Sequence, residues 1–190
     1  MIHRRKKGEY GYRTYRRNVQ LGEVAFGAAM ILVQLAAREF TSTQAVKNVL
    51  TVMAILSVLP TANVAAPMLA AWRWKTPPES FHRRVIPYES RFPVLYDLIL
   101  TSKEAVMPVD AAVVHPTGVY LYCTSDKVGA RKAEKFFRDM FKAHRLDPHV
   151  HMIQSEKAFF QRLDSLKPAG EYEDDGSGDY ASALLKQLSM

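Results

Sequence analysis

Hydrophobic and polar positions recur with different periods in different stretches of this chain, and each period predicts a different kind of element. From Val49 to Trp72, VLTVMAILSVLPTANVAAPMLAAW, 24 consecutive residues carry no charge. At about 1.5 Å of rise per residue, about 20 residues cross a bilayer core of about 30 Å, so this run predicts a membrane span. Pro60 and Pro67 interrupt it, and each is expected to kink the helix by removing a backbone hydrogen bond. In lipid a neighbouring helix must help satisfy the released carbonyls, and Asn63 lies between the prolines. The neighbour is LGEVAFGAAMILVQLAA, Leu21 to Ala37, in which Gly22, Gly27, Ala28 and Ala29 offer the small surface that helix pairs prefer. Glu23, near its start, can reach the interface and meet Arg16 or Arg17. Residues 19–75 therefore read as a two-helix transmembrane hairpin with spans at about 21–40 and 48–72.

Beyond it the period changes. Residues 76–93, TPPESFHRRVIPYESRFP, are rich in proline and charge and are expected to be a juxtamembrane link. Residues 94–102 (VLYDLILTS), Asp110 to Pro116 and Val119 to Thr124 are strand candidates, with Pro116-Thr117-Gly118 as the turn between the last two. Residues 128–146 then switch to helical spacing. Ala133, Phe136, Phe137, Met140 and His144 fall on one side. Arg131, Lys135, Arg138, Lys142 and Arg145 fall within about 80° of arc on the other. Residues 150–154 (VHMIQ) form a fourth strand candidate. Ser155 can cap a last helix whose Phe159, Leu163 and Leu166 face inward. The fold class expected for 94–168 is a small α/β (α+β) domain of order β-β-β-α-β-α. Residues 169–190 begin with five acids in EYEDDGSGDY and are expected to be a mobile tail ending in a short amphipathic helix, Ala181 to Leu188.

Charge adds an orientation. The net charge of +7 is uneven, with seven Lys/Arg in the basic arm, residues 1–18. These seven, with Arg73, Lys75, Arg83, Arg84 and Arg91 after the second span, face only Arg38 and Lys47 in the connecting loop. That bias predicts a multi-pass protein of a cell membrane with both termini cytoplasmic. Trp72 and Trp74, and Tyr10, Tyr12 and Tyr15, fit interfacial aromatic belts. The competing reading is a helical hairpin buried inside a soluble protein. A single cysteine, Cys123, fits a reducing compartment, and no signal peptide is expected.

One stretch carries a family resemblance. Asp-x-x-Val-Val-x-Pro-x-Gly-Val-aromatic, Asp110 to Tyr120, resembles the core of the nuclease-related domain, a restriction-endonuclease-like family. The likeness extends over Tyr96 to Leu166. It implies that Asp110 is the metal-binding aspartate and Gly118 the turn glycine. Where the family has Glu-x-Lys, this chain has Cys123-Thr124-Ser125. Nucleases of this kind hold Mg²⁺ on paired carboxylates, and the lysine stabilises charge or helps activate water. Asp110 without a second carboxylate cannot supply that site, so the resemblance implies a retained scaffold with its chemistry lost. Asp97 or Glu104 could supply the missing acid.

Other candidates have plainer alternatives. Cys123 could act as nucleophile with His115 as base, against a buried strand-end thiol. His149 and His151 could bind metal with His144, but no fourth ligand is evident, and no metal or cofactor is expected. The basic stripe Arg131, Lys135, Arg138, Lys142, Arg145 can be a solvated face, lie against anionic headgroups, or contact nucleic-acid phosphates. Three functions follow: a membrane-anchored, non-enzymatic module for an unidentified protein partner, a divergent Mg²⁺ nuclease, or a lipid or nucleic-acid binding module. Small residues in the first span also allow homo-oligomers.

Overall fold

The computed structural model describes residues 4–101, 106–125, 129–147, 149–173 and 176–190. The chain forms two units, one comprising Thr14–Lys75 and the other Met1–Arg13 with Thr76–Met190.

The first unit is built from helices α1 (Tyr12–Phe40) and α2 (Gln44–Ala71). Both are long and apolar enough to cross a membrane, and no more than 6% of the most apolar stretch of either is buried. A helix in the core of a soluble protein would be mostly buried there. The two helices approach closely at Gly27, where an added Cβ would lie 2.3 Å from the Thr61 hydroxyl oxygen. Gly22 has no neighbour within 4 Å, so of these two glycines only Gly27 serves as a close-packing position. Gln34 reaches Ser57 across the pair. α2 runs through Pro60 and Pro67 as one helix. The Ser57 and Thr61 hydroxyls donate to the carbonyls of Met53 and Ser57 one turn back, the local bonding that lets hydroxyl side chains sit in apolar helices.

In the second unit the expected link contains a helix, α3 (Glu79–Glu89). Pro77-Pro78 sets its start, Glu79 pairs with Arg83 one turn on, and Phe81 and Val85 form a buried stripe. Strands β1 (Val94–Thr101), β2 (Val106–His115) and β3 (Gly118–Tyr122) follow as an antiparallel meander. Helix α4 (Ala130–Ala143) crosses to β4 (Val150–Ile153), which pairs parallel to β3, giving sheet order β1-β2-β3-β4. α5 (Glu156–Ser165) and α6 (Ser177–Leu188) complete the unit, and the Ser155 hydroxyl accepts the Ala158 N–H as the α5 cap.

The sheet has a core on each face. Phe137 and Phe141 of α4 and Leu184 and Leu185 of α6 pack with Leu98, Val109, Leu121 and Val150. Phe81 and Val85 of α3 and Phe159, Phe160 and Leu163 of α5 pack with Tyr96, Val113, Tyr120 and Tyr122. Three expectations change here. Phe141, not His144, completes the buried stripe of α4, and His144 is exposed. The helix is shorter, so Arg145 lies past its end with φ of 58°. The C-terminal helix expected over Ala181 to Leu188 starts earlier, at Ser177, and contributes to the core, and Leu100 bridges to Ser189 along the outer edge of β1. Gly8 covers the same edge at Tyr96, and at the other edge the Glu134 carboxylate accepts the Met152 N–H, so both borders of the sheet are protected.

Gly118 has a specific reason to be glycine. It opens β3 directly after the two-residue turn Pro116-Thr117, at φ 137°. A Cβ there would stand 2.4 Å from the His149 carbonyl oxygen.

Candidate functional site

Two acids interrupt otherwise apolar strands, Asp97 in VLYDLILT and Asp110 in VMPVDAAVV. The pairs Tyr96–Ala111 and Leu98–Val109 flank them, so the two aspartates face each other across the β1–β2 ladder. Both strands lose a step of alternation at this point. Leu95 and Ala112 lie on the α4/α6 face and Tyr96 and Ala111 on the opposite one, yet Leu98 and Val109 return to the α4/α6 face. Asp97 takes φ of 55°, which produces the step in β1. Asp97 is 1% and Asp110 6% exposed. Two facing carboxylates at that depth need a cation, because buried charges persist only when paired.

The cation is Arg13. Its Nη1 donates to Asp110 Oδ1 at 2.7 Å, and its Nη2 donates to the carbonyls of Leu98 at 2.9 Å and Val109 at 2.6 Å. Nε lies 3.7 Å from Asp97 Oδ1. A planar guanidinium thus fills the break in the ladder and supplies donors that the two strands lack there. Thr124 donates its N–H and its hydroxyl to Asp110 Oδ2. Asp97 Oδ2 accepts the N–H groups of Gly11 and Arg13, at the first turn of α1, and the Thr76 hydroxyl. Burial raises the Asp97 carboxyl above the usual carboxylate range, and Arg13, Thr76 and the two N–H groups oppose that rise. The residues that leave and re-enter this unit, Arg13 and Thr76, are therefore both held by one aspartate.

Asp110 was the acid that the sequence singled out, and Asp97 the acid suggested as its companion; the structure brings them together. Glu104 lies outside the described residues. No sequence pattern distinguishes Arg13 from the other six cations of the basic arm. The usable signal was the two acids themselves, since charge inside two apolar strands requires an opposite charge from elsewhere. Tyr10 stacks on His82 at 3.9 Å between ring centroids and donates its hydroxyl to the Pro77 carbonyl.

The other candidates separate. His115 pairs with Gly118 at one end of the β2–β3 hairpin, and Cys123 follows β3 at the other, so the thiol and the imidazole do not meet. Cys123 is fully buried. His115 is enclosed by Phe92 and Tyr172, accepts the Thr117 N–H on Nδ1, and shares its Nε2 with the Lys167 carbonyl. That arrangement needs the neutral ring. Burial first, and then the charge of Arg162, lower its pKa against the Lys167 contact. His144 contacts the Tyr180 hydroxyl, His149 pairs with Asp147, and His151 stacks on Tyr120. Among the described residues no group of three or more His, Cys, Asp and Glu could hold a metal ion. Arg131, Lys135, Arg138 and Lys142 lie exposed along α4, and Arg145 is exposed beyond it.

No family model, no curated protein and no solved structure matches this chain.

Proposed function

We propose that this chain is a non-enzymatic protein of a cell membrane, in which a two-helix hairpin anchors a small cytoplasmic α/β domain for protein interaction or scaffolding. The observation that carries the non-enzymatic part is the occupation of the Asp110 carboxylate. Arg13 takes one oxygen, and the N–H and hydroxyl of Thr124 take the other. Cys123 and Ser125 stand where the resembled nuclease family carries the second acid and the lysine, and Thr124 between them supplies donors rather than metal ligands. A fixed guanidinium between the two aspartates disfavours a divalent cation there by charge alone. The order β-β-β-α-β after α3 is compatible with a nuclease-like scaffold that has lost its chemistry. The anchoring part rests on two long helices with exposed apolar surfaces, and the orientation on the lysine and arginine bias.

Full-length protein in lipid nanodiscs, incubated with plasmid DNA and Mg²⁺, is expected to leave the DNA intact. Cleavage that disappears in Asp110→Ala would overturn the reading in favour of a nuclease using Asp97 and Asp110. Membranes washed at alkaline pH should retain the chain, and its release without detergent would remove the anchor.

A second reading is favoured by the exposed cations of α4, which suit phosphate groups of nucleic acid or lipid. Under it, replacing Arg131, Lys135 and Arg138 by glutamate abolishes binding and flattens its salt dependence. Unchanged behaviour leaves a solvated face.

A further inference from the structure

One charged group lies within the apolar stretch of the helical hairpin. Glu23 is the only Asp, Glu, Lys or Arg between Asn18 and Ala37 of α1, and α2 has none between Asn48 and Ala71. Gly27 lies against Thr61 and Gln34 reaches Ser57, so the helices run antiparallel and Glu23 is level with about Ala65. Ala65 stands seven residues before Trp72, about 10 Å along the axis. The Glu23 side chain is exposed. Arg16 and Arg17 are seven and six residues from it, beyond the three or four at which helical side chains meet. None of Val19, Gln20, Phe26 and Gly27, one turn away, is a cation. The pairing expected with Arg16 or Arg17 does not form, and among the described residues no hydrogen bond or ion pair engages the Glu23 carboxylate. Beside it, Gly22 has nothing within 4 Å of where a Cβ would stand, and Val19 and Phe26, one turn to either side, are 40% and 70% exposed.

We propose that this face of α1 docks a transmembrane helix of a partner protein whose lysine or arginine pairs with Glu23, the helix lying along Val19, Gly22 and Phe26. The inference rests on the membrane and protein-interaction readings, and deepens the second by giving the partner's chemistry. A carboxylate facing hydrocarbon is costly, and ionisable groups inside a membrane persist where another group pairs with them. A cation supplies both the opposite charge and the N–H donors, and such a bond is stronger where water is excluded. The open backbone at Gly22 lets a second helix approach closely enough to make it. A second copy of the hairpin brings only amide and hydroxyl groups to this depth, because its own apolar stretches carry no lysine or arginine. The occupant is therefore a different chain.

The test uses the full-length protein in phosphatidylcholine vesicles and tryptophan-free leucine–alanine peptides of transmembrane length, each dansylated at one end. One peptide carries a lysine about 10 Å from the dansylated end, one a leucine there and one a glutamate. Trp72 and Trp74, the only tryptophans of the chain, serve as energy donors to dansyl. The lysine peptide should associate about fivefold or more tightly than the leucine peptide, the scale of an interhelical polar contact in lipid. Glu23→Gln should remove that difference, and Glu23→Lys should move the preference to the glutamate peptide. Equal transfer to the lysine and leucine peptides, or a lysine preference that survives Glu23→Gln, overturns the proposal. So does a change from dimer to monomer in Glu23→Gln without any peptide preference, which gives the face to a second copy. A dansylated lipid is the control for insertion. Transfer to that lipid with no peptide preference leaves the hairpin a membrane anchor and removes the docking site, whereas no transfer to it sinks the membrane reading and this proposal together.

Discussion

Leu98 and Leu59 are the same side chain in opposite surroundings. Leu98, in β1, is 0% exposed and belongs to the core shared with the aromatic rings of α4 and the leucines of α6. Leu59, in α2, is 65% exposed. The contrast extends to charge. The α/β unit buries Arg13, Asp97 and Asp110 inside its sheet, whereas the hairpin keeps its cations at its ends. Apolar residues in the α/β unit are covered by their own chain, so the interior can hold a satisfied polar network. Most apolar residues in the hairpin have no such cover, Ala54 and Met68 excepted, and hydrocarbon outside them is the solvent that would make their exposure favourable. Hydrophobic content alone does not separate the two regions; what each side chain touches does.

The strongest way to break the contrast is at its buried charges. Arg13→Ala leaves two facing carboxylates and the carbonyls of Leu98 and Val109 without their donor, and should cost about 3–5 kcal/mol of stability in the α/β unit. Denaturant unfolding followed by circular dichroism in nanodiscs measures it. Arg13→Lys should recover little, because an ammonium cannot present the planar fork that reaches Asp110 and both carbonyls together. Unchanged stability in Arg13→Ala would mean that the arginine is incidental to the fold.

At Leu59 the same measurement should give the opposite answer. Leu59→Asp should lower membrane insertion by about 2.5–3.5 kcal/mol if the residue lies near the bilayer centre, and leave unfolding of the α/β unit unaltered. A fall in the unfolding midpoint would mean that α2 belongs to a water-soluble core after all.

A smaller effect is expected at the hairpin turn. Gly118→Ala places a Cβ against the His149 carbonyl at a φ that L-residues avoid, and should cost about 1–3 kcal/mol. Weakened amide protection in β3 and β4 by hydrogen exchange would locate the damage. No loss of protection there would show that the β3–β4 contact gives way easily.

The smallest effect belongs to His115. Its folded pKa is lowered, so the contribution of the neutral ring is complete above the unfolded value of about 6.5 and is lost as pH falls below it. Unfolding free energy should decline between pH 7 and pH 5, with a shallower slope in His115→Gln. Equal slopes would assign the acid sensitivity to other groups.

Legibility followed the range of the interactions. The charge-free run at 49–72, the β2–β3 hairpin and the amphipathic α4 were readable because their signals lie within a few residues. α3 was not, because Pro77, Pro78, Pro87 and four charges hide a stripe of only Phe81 and Val85. The packing of α6 is hidden for a related reason: the acids before it point to solvent, while Leu184 and Leu185 are held by partners far away in sequence. At the candidate site Asp110 and Asp97 could be named, but not their neighbour. Arg13 precedes them by 84 and 97 residues, and no local pattern marks one arginine of a basic arm as the buried one.

The amino-acid sequence by itself determined the two long apolar helices, the strand and helix periods after residue 93 and the asymmetric distribution of cations, because periodicity and composition act over one or two turns of chain. Only the tertiary structure decided that Asp97 and Asp110 face each other, that Arg13 sits between them and that the C-terminal helix joins the core. Those outcomes depend on strand register and on which distant donor fills a buried gap, and the chain settles both only when its segments pack.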